Sequence, residues 1–232
     1  MTDALAAQAV AGVTSGMIVG LGTGRAAARG VRALAERVKS EKLAITCVAT
    51  SLATTELAET LGLEVLDFMD VSKVDYLFDG ADEVDPKLRM LKGGGGAMTR
   101  ERIVAAATVA SGGVRINMID EAKLVPWLGS RMPLPVEVIP MALRSVRRQL
   151  EDMGLDGVVR QARDGAGDYR TDNGNLILDL KLTAELTAGG EADVLARDLN
   201  EMAGIVDHGL FVTESQTVLV EGKGGVRRLG RE

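Results

Sequence analysis

The chain holds one cysteine, Cys47, and one histidine, His208, among its 232 residues. An internal disulfide is therefore excluded, which suits a reducing, cytoplasmic setting. A zinc site made of cysteine and histidine ligands fails on the same arithmetic. A Ser-His-Asp or Cys-His triad would have to use His208 alone, and both His208 and Cys47 read as structural. Aromatic residues are 3% of the chain, too few for base stacking as a binding mode. No apolar run approaches the roughly 18 residues of a membrane span. No basic residue precedes Arg25, so the charged start of a secretory signal is missing. Internal repeats and low-complexity tracts are absent too.

What is present suffices for a packed core, with hydrophobic residues at 46% and charged residues at 26%. The length fits one large domain or two small ones. Lys+Arg is 27 and Asp+Glu is 33, giving a net charge of −6, so the mean field opposes nucleic acid. Arg144, Arg147 and Arg148 share a helical face by spacing, which reads as a solvated face or a subunit contact. Neither nucleic acid nor membrane is expected as a partner.

Strand-like and helix-like segments alternate through the first half. Apolar runs at 17–21, 43–49, 74–78 and 115–119 read as strands, and 25–39, 52–61 and 103–110 as helices. This rhythm predicts an α/β fold, a Rossmann-like, mostly parallel sheet with helices on both faces. Four of the five prolines lie between positions 126 and 140, which marks a junction, because proline neither donates to a ladder nor continues a helix. Beyond it come a helix at 141–153, a strand at 157–161, the turn Asp172-Asn173-Gly174-Asn175, a strand at 176–180 and a helix at 192–202. These form a smaller α+β, ferredoxin-like domain over 131–204, and strands at 210–212 and 217–220 return to the first domain, 1–130 with 205–232.

Three stretches carry chemistry. Gly20-Leu21-Gly22-Thr23-Gly24-Arg25-Ala26 follows a strand and opens a helix, so its N–H groups and the helix dipole favour an anion; a plain tight turn is the alternative. Read as a dinucleotide fingerprint, it lacks the acid that a nicotinamide cofactor's ribose needs, because the second strand ends Ala49-Thr50-Ser51 and the hydroxyls that follow suit a helix cap. Phe78-Asp79-Gly80-Ala81-Asp82-Glu83-Val84-Asp85-Pro86 packs four carboxylates just after a strand, where α/β sites form. A magnesium site or a solvated acidic turn are its other readings. Lys92-Gly93-Gly94-Gly95-Gly96-Ala97-Met98-Thr99-Arg100-Glu101 puts four consecutive glycines, costly in entropy, between a cation and a carboxylate. It reads as a backbone cradle, with Glu101 ionised at a helix start and suited to act as a general base. Lys123, after a further strand, could reach the same cleft.

In this order and spacing these motifs, with Leu134-Pro135-Val136-Glu137-Val138-Ile139-Pro140, resemble ribose-5-phosphate isomerase, type A. The similarity spans essentially the whole chain, including Thr171-Asp172-Asn173-Gly174-Asn175 and Gly209-Leu210-Phe211. It implies an aldose–ketose isomerase of the non-oxidative pentose phosphate pathway, working on a sugar phosphate without metal or cofactor as a homodimer or homotetramer. Glu101 matches the family's proton acceptor. Thr23, Gly24, Arg25, Ala26, Asp79, Gly80, Ala81, Asp82, Lys92, Gly93, Gly94, Gly95 and Lys123 match its substrate-contacting segments. Chemistry agrees: one base must serve C1 and C2 of the open-chain sugar, Lys92 and glycine N–H groups can meet the developing oxyanion, Asp79 and Asp82 can hold hydroxyls and help open the ring, and Lys123 with the Thr23 loop can hold the phosphate.

One departure stands out. The family usually reads Gly-Thr-Gly-Ser-Thr, whereas this chain has Arg25-Ala26 after the last glycine, and residues 1–24 lack the lysine common in the family's first helix. Arg25 is expected to replace both as a bidentate phosphate ligand. The alternatives are an isomerase of different sugar-phosphate preference and a non-catalytic sugar-phosphate sensor. A sensor would not need Glu101, and no spare N-terminal segment is expected for a DNA-binding module.

Overall fold

The computed structural model describes residues 3–165, 167–188 and 191–230. In chain order the strands are β1 Ile18–Leu21, β2 Thr46–Ala49, β3 Tyr76–Gly80, β4 Glu83–Val84, β5 Met90–Leu91, β6 Val114–Asp120, β7 Leu134–Val138, β8 Gly157–Val159, β9 Leu176–Leu180, β10 Ile205–His208, β11 Leu210–Phe211, β12 Thr217–Gly222 and β13 Gly225–Gly230. The α-helices are α1 Ala4–Val10, α2 Arg25–Glu41, α3 Leu52–Thr60, α4 Met98–Ala110, α5 Leu143–Asp152, α6 Ala184–Thr187 and α7 Glu191–Glu201. The residues pack as two compact units, one of Met1–Ala81, Arg100–Lys123 and Glu214–Glu232, the other of Asp82–Thr99 and Leu124–Thr213.

The first unit is an α/β layer built on a six-stranded sheet in the order β13-β12-β6-β3-β1-β2. All pairs are parallel except the edge hairpin β12–β13. Strand order turns back at β1, which lies between β2 and β3, so the carboxyl ends of β1 and β3 flank the point where sheets of this kind bind ligands. Alternation along β3 divides the core. Tyr76 and Phe78 pack with Leu5, Val31 and Leu34 of α1 and α2 on one face, while Leu77 packs with Val104 and Ala105 of α4 on the other. Gly30 is required there, because a Cβ on it would lie 2.6 Å from the Phe78 ring.

In the second unit, β7-α5-β8-β9-α7-β10 forms an antiparallel sheet in the order β10-β7-β9-β8, the split βαβ arrangement expected for a ferredoxin-like domain. Leu134, Val136, Val138, Leu178 and Leu180 bury one face against Val146 and Leu150 of α5 and Leu195 and Leu199 of α7. A short sheet, β11-β5-β4, completes the unit. The boundaries expected at 130/131 and 204/205 lie instead at 123/124 and 213/214, so the strand expected at 210–212 to return to the first domain stays in the second unit as β11. Residues 82–99 also pack in the second unit, where β4 and β5 join β11 and the Glu83 carboxylate takes the backbone N–H groups of Gly129, Arg131 and Met132 at 2.5, 2.7 and 2.9 Å.

The proline-rich stretch, expected as a junction, contains a central strand. Pro135 lies within β7, between β9 and β10. Its missing N–H is tolerated because β10 pairs only as far as His208 with Val136, and the chain then turns away at Gly209, which donates to the Pro135 carbonyl at 2.8 Å. The helix expected at 103–110 starts earlier, at Met98, and Glu101 lies in its first turn, as expected from the tetraglycine motif.

Candidate active site

The first unit sets its candidate residues along the carboxyl edge of its sheet. After β1 the backbone passes so close to Asp79 that a Cβ on Gly22 would lie 2.1 Å from Asp79 Oδ1. That carboxylate oxygen accepts the N–H of Thr23 at 3.0 Å and of Gly80 at 2.7 Å. Asp79 is 2% exposed. The Thr23 hydroxyl meets those of Thr50 at 2.7 Å and Ser51 at 2.8 Å, and Thr54 donates to the Gly22 carbonyl at 3.0 Å. The hydroxyl run after β2 thus has two duties. Ser51 caps α3 through the Thr54 N–H, and its neighbours tie down the Gly22–Thr23 turn.

Gly24 occupies the N-cap of α2 with φ 93°, a conformation that favours glycine, and it brings no capping side chain. The first turn of a 17-residue helix is left open to an anion. Arg25 is exposed at its first position and Ala26 lies beside Gly80, where an added Cβ would be 3.5 Å from that of Ala26. Ala81 ends the first of the unit's three chain segments. α4 runs back along the sheet before β6, so its first turn, with Glu101 only 5% exposed, lies toward this same edge. Lys123, half-buried, closes the 3-10 turn Glu121–Lys123 after β6, again at the carboxyl edge.

The second unit carries Asp82, Lys92 and the glycines. Asp82 Oδ2 accepts the Gly94 N–H at 2.8 Å, and the Asp82 N–H donates to the Leu91 carbonyl at 2.8 Å. Lys92 is 4% exposed, its ammonium 5.6 Å from the centroid of the Phe211 ring. The run of four glycines has structural reasons at both ends. Gly93 and Gly96 have φ of +95° and +82°, and a Cβ would strike Pro135 and Met98 at the first, Tyr169 at the second. Between them the Gly93 and Gly94 carbonyls accept from Arg160 Nη1 at 3.0 and 3.2 Å, and the Gly95 carbonyl accepts from the Tyr169 hydroxyl at 3.0 Å.

The four carboxylates of the acidic motif divide. Asp79 and Asp82 stand beside the glycine segments. Glu83 is spent on three backbone N–H groups, and Asp85 on the Lys87 and Arg89 N–H groups and the Arg89 guanidinium. Among the described residues no cluster of three or more His, Cys, Asp or Glu side chains is arranged to hold a metal ion. His208 is 1% exposed, with Nε2 at the Ala196 carbonyl and Nδ1 accepting from Leu210, while burial pushes the Cys47 thiol up to about 12. Both are structural.

Sequence reasoning missed Arg160, Tyr169 and Glu137. Glu137 is fully buried and accepts from Thr171 at 2.8 Å, Asn173 at 3.1 Å, Asn175 at 2.8 Å and the Thr99 hydroxyl in the first turn of α4. A glutamate inside the apolar run Leu134–Val138 was a readable signal of a buried charge. Nothing local marks Arg160 or Tyr169.

The model of the family Ribose 5-phosphate isomerase A (phosphoriboisomerase A) matches residues 46–225. The Ribose-5-phosphate isomerase A of Desulfatibacillum aliphaticivorans is 40% identical over 225 residues, covering 97% of this chain and 94% of that protein. Among solved structures, ribose 5-phosphate isomerase A from Methanocaldococcus jannaschii superposes with a TM-score of 0.90 at 37% identity, covering 98% of this chain and 97% of that one. A D-ribose-5-phosphate isomerase in complex with phospho-erythronic acid gives 0.89 at 32% identity, covering 98% and 96%.

Proposed function

The chain belongs to the ribose 5-phosphate isomerase A family, and on that premise we propose which of its residues interconvert ribose 5-phosphate and ribulose 5-phosphate. It is an aldose–ketose isomerase. The reaction moves a proton from C2 of the open-chain aldose to C1 through an enediolate, with the matching hydroxyl proton passing between O1 and O2. Glu101 is the base that removes and returns the carbon-bound proton, a role worth roughly 10²–10⁴-fold. The observation that carries this assignment is a carboxylate 5% exposed in the first turn of α4.

Lys92 and the N–H groups of the 93–95 segment stabilise the oxyanion, at about 3–4 kcal/mol for one well-placed donor. Asp79 and Asp82 hold sugar hydroxyls and assist ring opening. Thr23, Gly24, Arg25 and Ala26 at the open start of α2, together with Lys123, take the phosphate, and Gly80 and Ala81 line the sugar. The chain works as a homodimer or homotetramer in the cytoplasm, a reading supported by the family resemblance and, for the compartment, by the single cysteine; analytical ultracentrifugation reads the assembly.

The test is proton exchange. Incubated with ribose 5-phosphate in heavy water, the wild-type chain should place deuterium at the transferred carbon, and Glu101→Gln should abolish both exchange and turnover. Persistent exchange in that variant would move the base to Asp79 or Asp82.

A further inference from the structure

The face of the second unit's sheet turned away from α5 and α7 carries a device that the isomerase chemistry has not yet used. Arg160, just beyond β8, is clamped by Asp179 of β9 through Nε to Oδ2 at 2.9 Å and Nη2 to Oδ1 at 2.5 Å. Both side chains are mostly buried, at 16% and 15% exposure. The remaining nitrogen of the fork, Nη1, is spent on the Gly93 and Gly94 carbonyls. Tyr169, whose own N–H donates to the Arg160 carbonyl at 2.8 Å, lies with its ring 5.9 Å from the guanidinium and donates its hydroxyl to the next carbonyl, Gly95. Three successive carbonyls of the glycine run are thereby held by two side chains.

A trans peptide points its N–H opposite to its C=O. Fixing the carbonyls of Gly93, Gly94 and Gly95 therefore fixes the N–H groups of Gly94, Gly95 and Gly96 on the far side. Two of these are engaged locally, Gly94 with Asp82 and Gly96 with the Gly93 carbonyl. The Gly95 N–H donates to no described residue. A run of glycines would otherwise sample many peptide orientations, and an oxyanion donor acts only if its direction is set before reaction.

We propose that Arg160 and Tyr169, with Asp179 holding the arginine, are positioning residues that orient the tetraglycine peptides so that the Gly95 N–H is presented to the developing enediolate. This rests on the reading that the 92–95 segment serves the oxyanion. Burial raises the pKa of Tyr169, with nearby Asp172 adding to the rise, so its hydroxyl keeps the proton it donates throughout the neutral range.

The experiment compares Tyr169→Phe, Arg160→Lys and Arg160→Gln in the full chain. It measures kcat and KM for ribose 5-phosphate, melting temperature, and the Kd of phospho-erythronic acid, whose planar carboxylate imitates the enediolate. Tyr169→Phe removes one hydrogen bond from a half-buried ring and should fold normally, lowering kcat about 3- to 10-fold. Arg160→Gln should lose more, and Arg160→Lys should restore part of it, since one ammonium holds a carbonyl but not the fork. KM should stay within about twofold, while the Kd of phospho-erythronic acid rises in proportion to the loss of kcat. Unchanged kcat in Tyr169→Phe and Arg160→Gln overturns the proposal, as does a fall in kcat that leaves phospho-erythronic acid binding intact. A wild-type chain that neither isomerises ribose 5-phosphate nor binds phospho-erythronic acid would instead overturn the reading beneath it.

Discussion

Asp79 and Gly22 touch so closely that only a hydrogen fits on the glycine: an added Cβ would sit 2.3 Å from the Asp79 carboxyl carbon and 2.6 Å from its Cα. The second of these neighbours is backbone and cannot swing aside. Gly22→Ala should therefore push the turn off Asp79, break the Thr23 N–H bond at 3.0 Å and cost about 1–3 kcal/mol, the usual range for overpacking. Denaturant unfolding gives the stability change. Asp79→Asn is the companion variant. Its amide oxygen can still accept from Thr23, so it should fold with near-normal stability and lose activity only as far as the charge serves the sugar.

Arg25 stands exposed at the first position of α2, next to a cap that offers no side chain. As a phosphate ligand its removal should weaken ground-state binding more than chemistry. Arg25→Ala is expected to raise KM for ribose 5-phosphate about 10- to 100-fold, the scale of a hydrogen bond to a charged group, with kcat changed much less. Arg25→Lys should recover part of that, because a point charge replaces a fork. An unchanged KM in the alanine variant rejects the role.

Gly22, Asp79 and Arg25 also mark how far the sequence could be read. The Gly22–Gly24 turn was legible because a glycine-rich strand exit into a helix is a local pattern with a local cause, and the parallel sheet followed from the spacing of apolar runs. The acidic motif was legible only in bulk. Nothing in Asp79-Gly80-Ala81-Asp82-Glu83-Val84-Asp85 tells that Glu83 serves the turn at 129–132, since those partners lie 46 to 49 residues away. The same holds for Arg160 and Tyr169, whose partners in the glycine run are 66 to 74 residues distant. Pro135 misled because a proline in a central strand is tolerated only where the neighbouring strand happens to end, and that is a fact of register.

Glu137 makes a sharper test of a buried charge. Its Oε1 accepts from Thr171, Asn173 and Asn175 and its Oε2 from Thr99, with no exposure to water. Glu137→Leu leaves the buried Thr99 and Thr171 hydroxyls without this acceptor and should cost about 2–5 kcal/mol. Glu137→Gln keeps an oxygen toward the asparagines, and its NH2 can donate to the Thr99 hydroxyl, so about 1–2 kcal/mol is expected. Thr99 shares the first turn of α4 with Glu101, so kcat should fall further in the leucine variant than in the glutamine one. Equal kcat in two folded variants would separate Glu137 from the placement of the base.

Alkaline pH should destabilise the first unit through two buried acids. Burial is the main cause in both. It raises the Cys47 thiol from 9.0 to about 12, with Glu64 adding to the effect, and it raises the Tyr76 phenol above 10.0 against the opposing pull of Arg228 and Arg37. The Tyr76 hydroxyl donates to the Ala9 carbonyl at 2.7 Å, so losing its proton also loses a tie to α1. Because each group ionises more readily when unfolded, the unfolded chain binds fewer protons above the unfolded pKa. Stability is then complete below about pH 9 and declines as pH rises toward 12, with a limiting slope of about 1.4 kcal/mol per pH unit for each group. Chemical denaturation at intervals from pH 8 to 11.5 follows the decline. Cys47→Ala should start lower, from the small cavity it leaves, but lose stability less steeply above pH 9 than wild type; parallel slopes in the two proteins would show that the thiol is not a source of the alkaline loss.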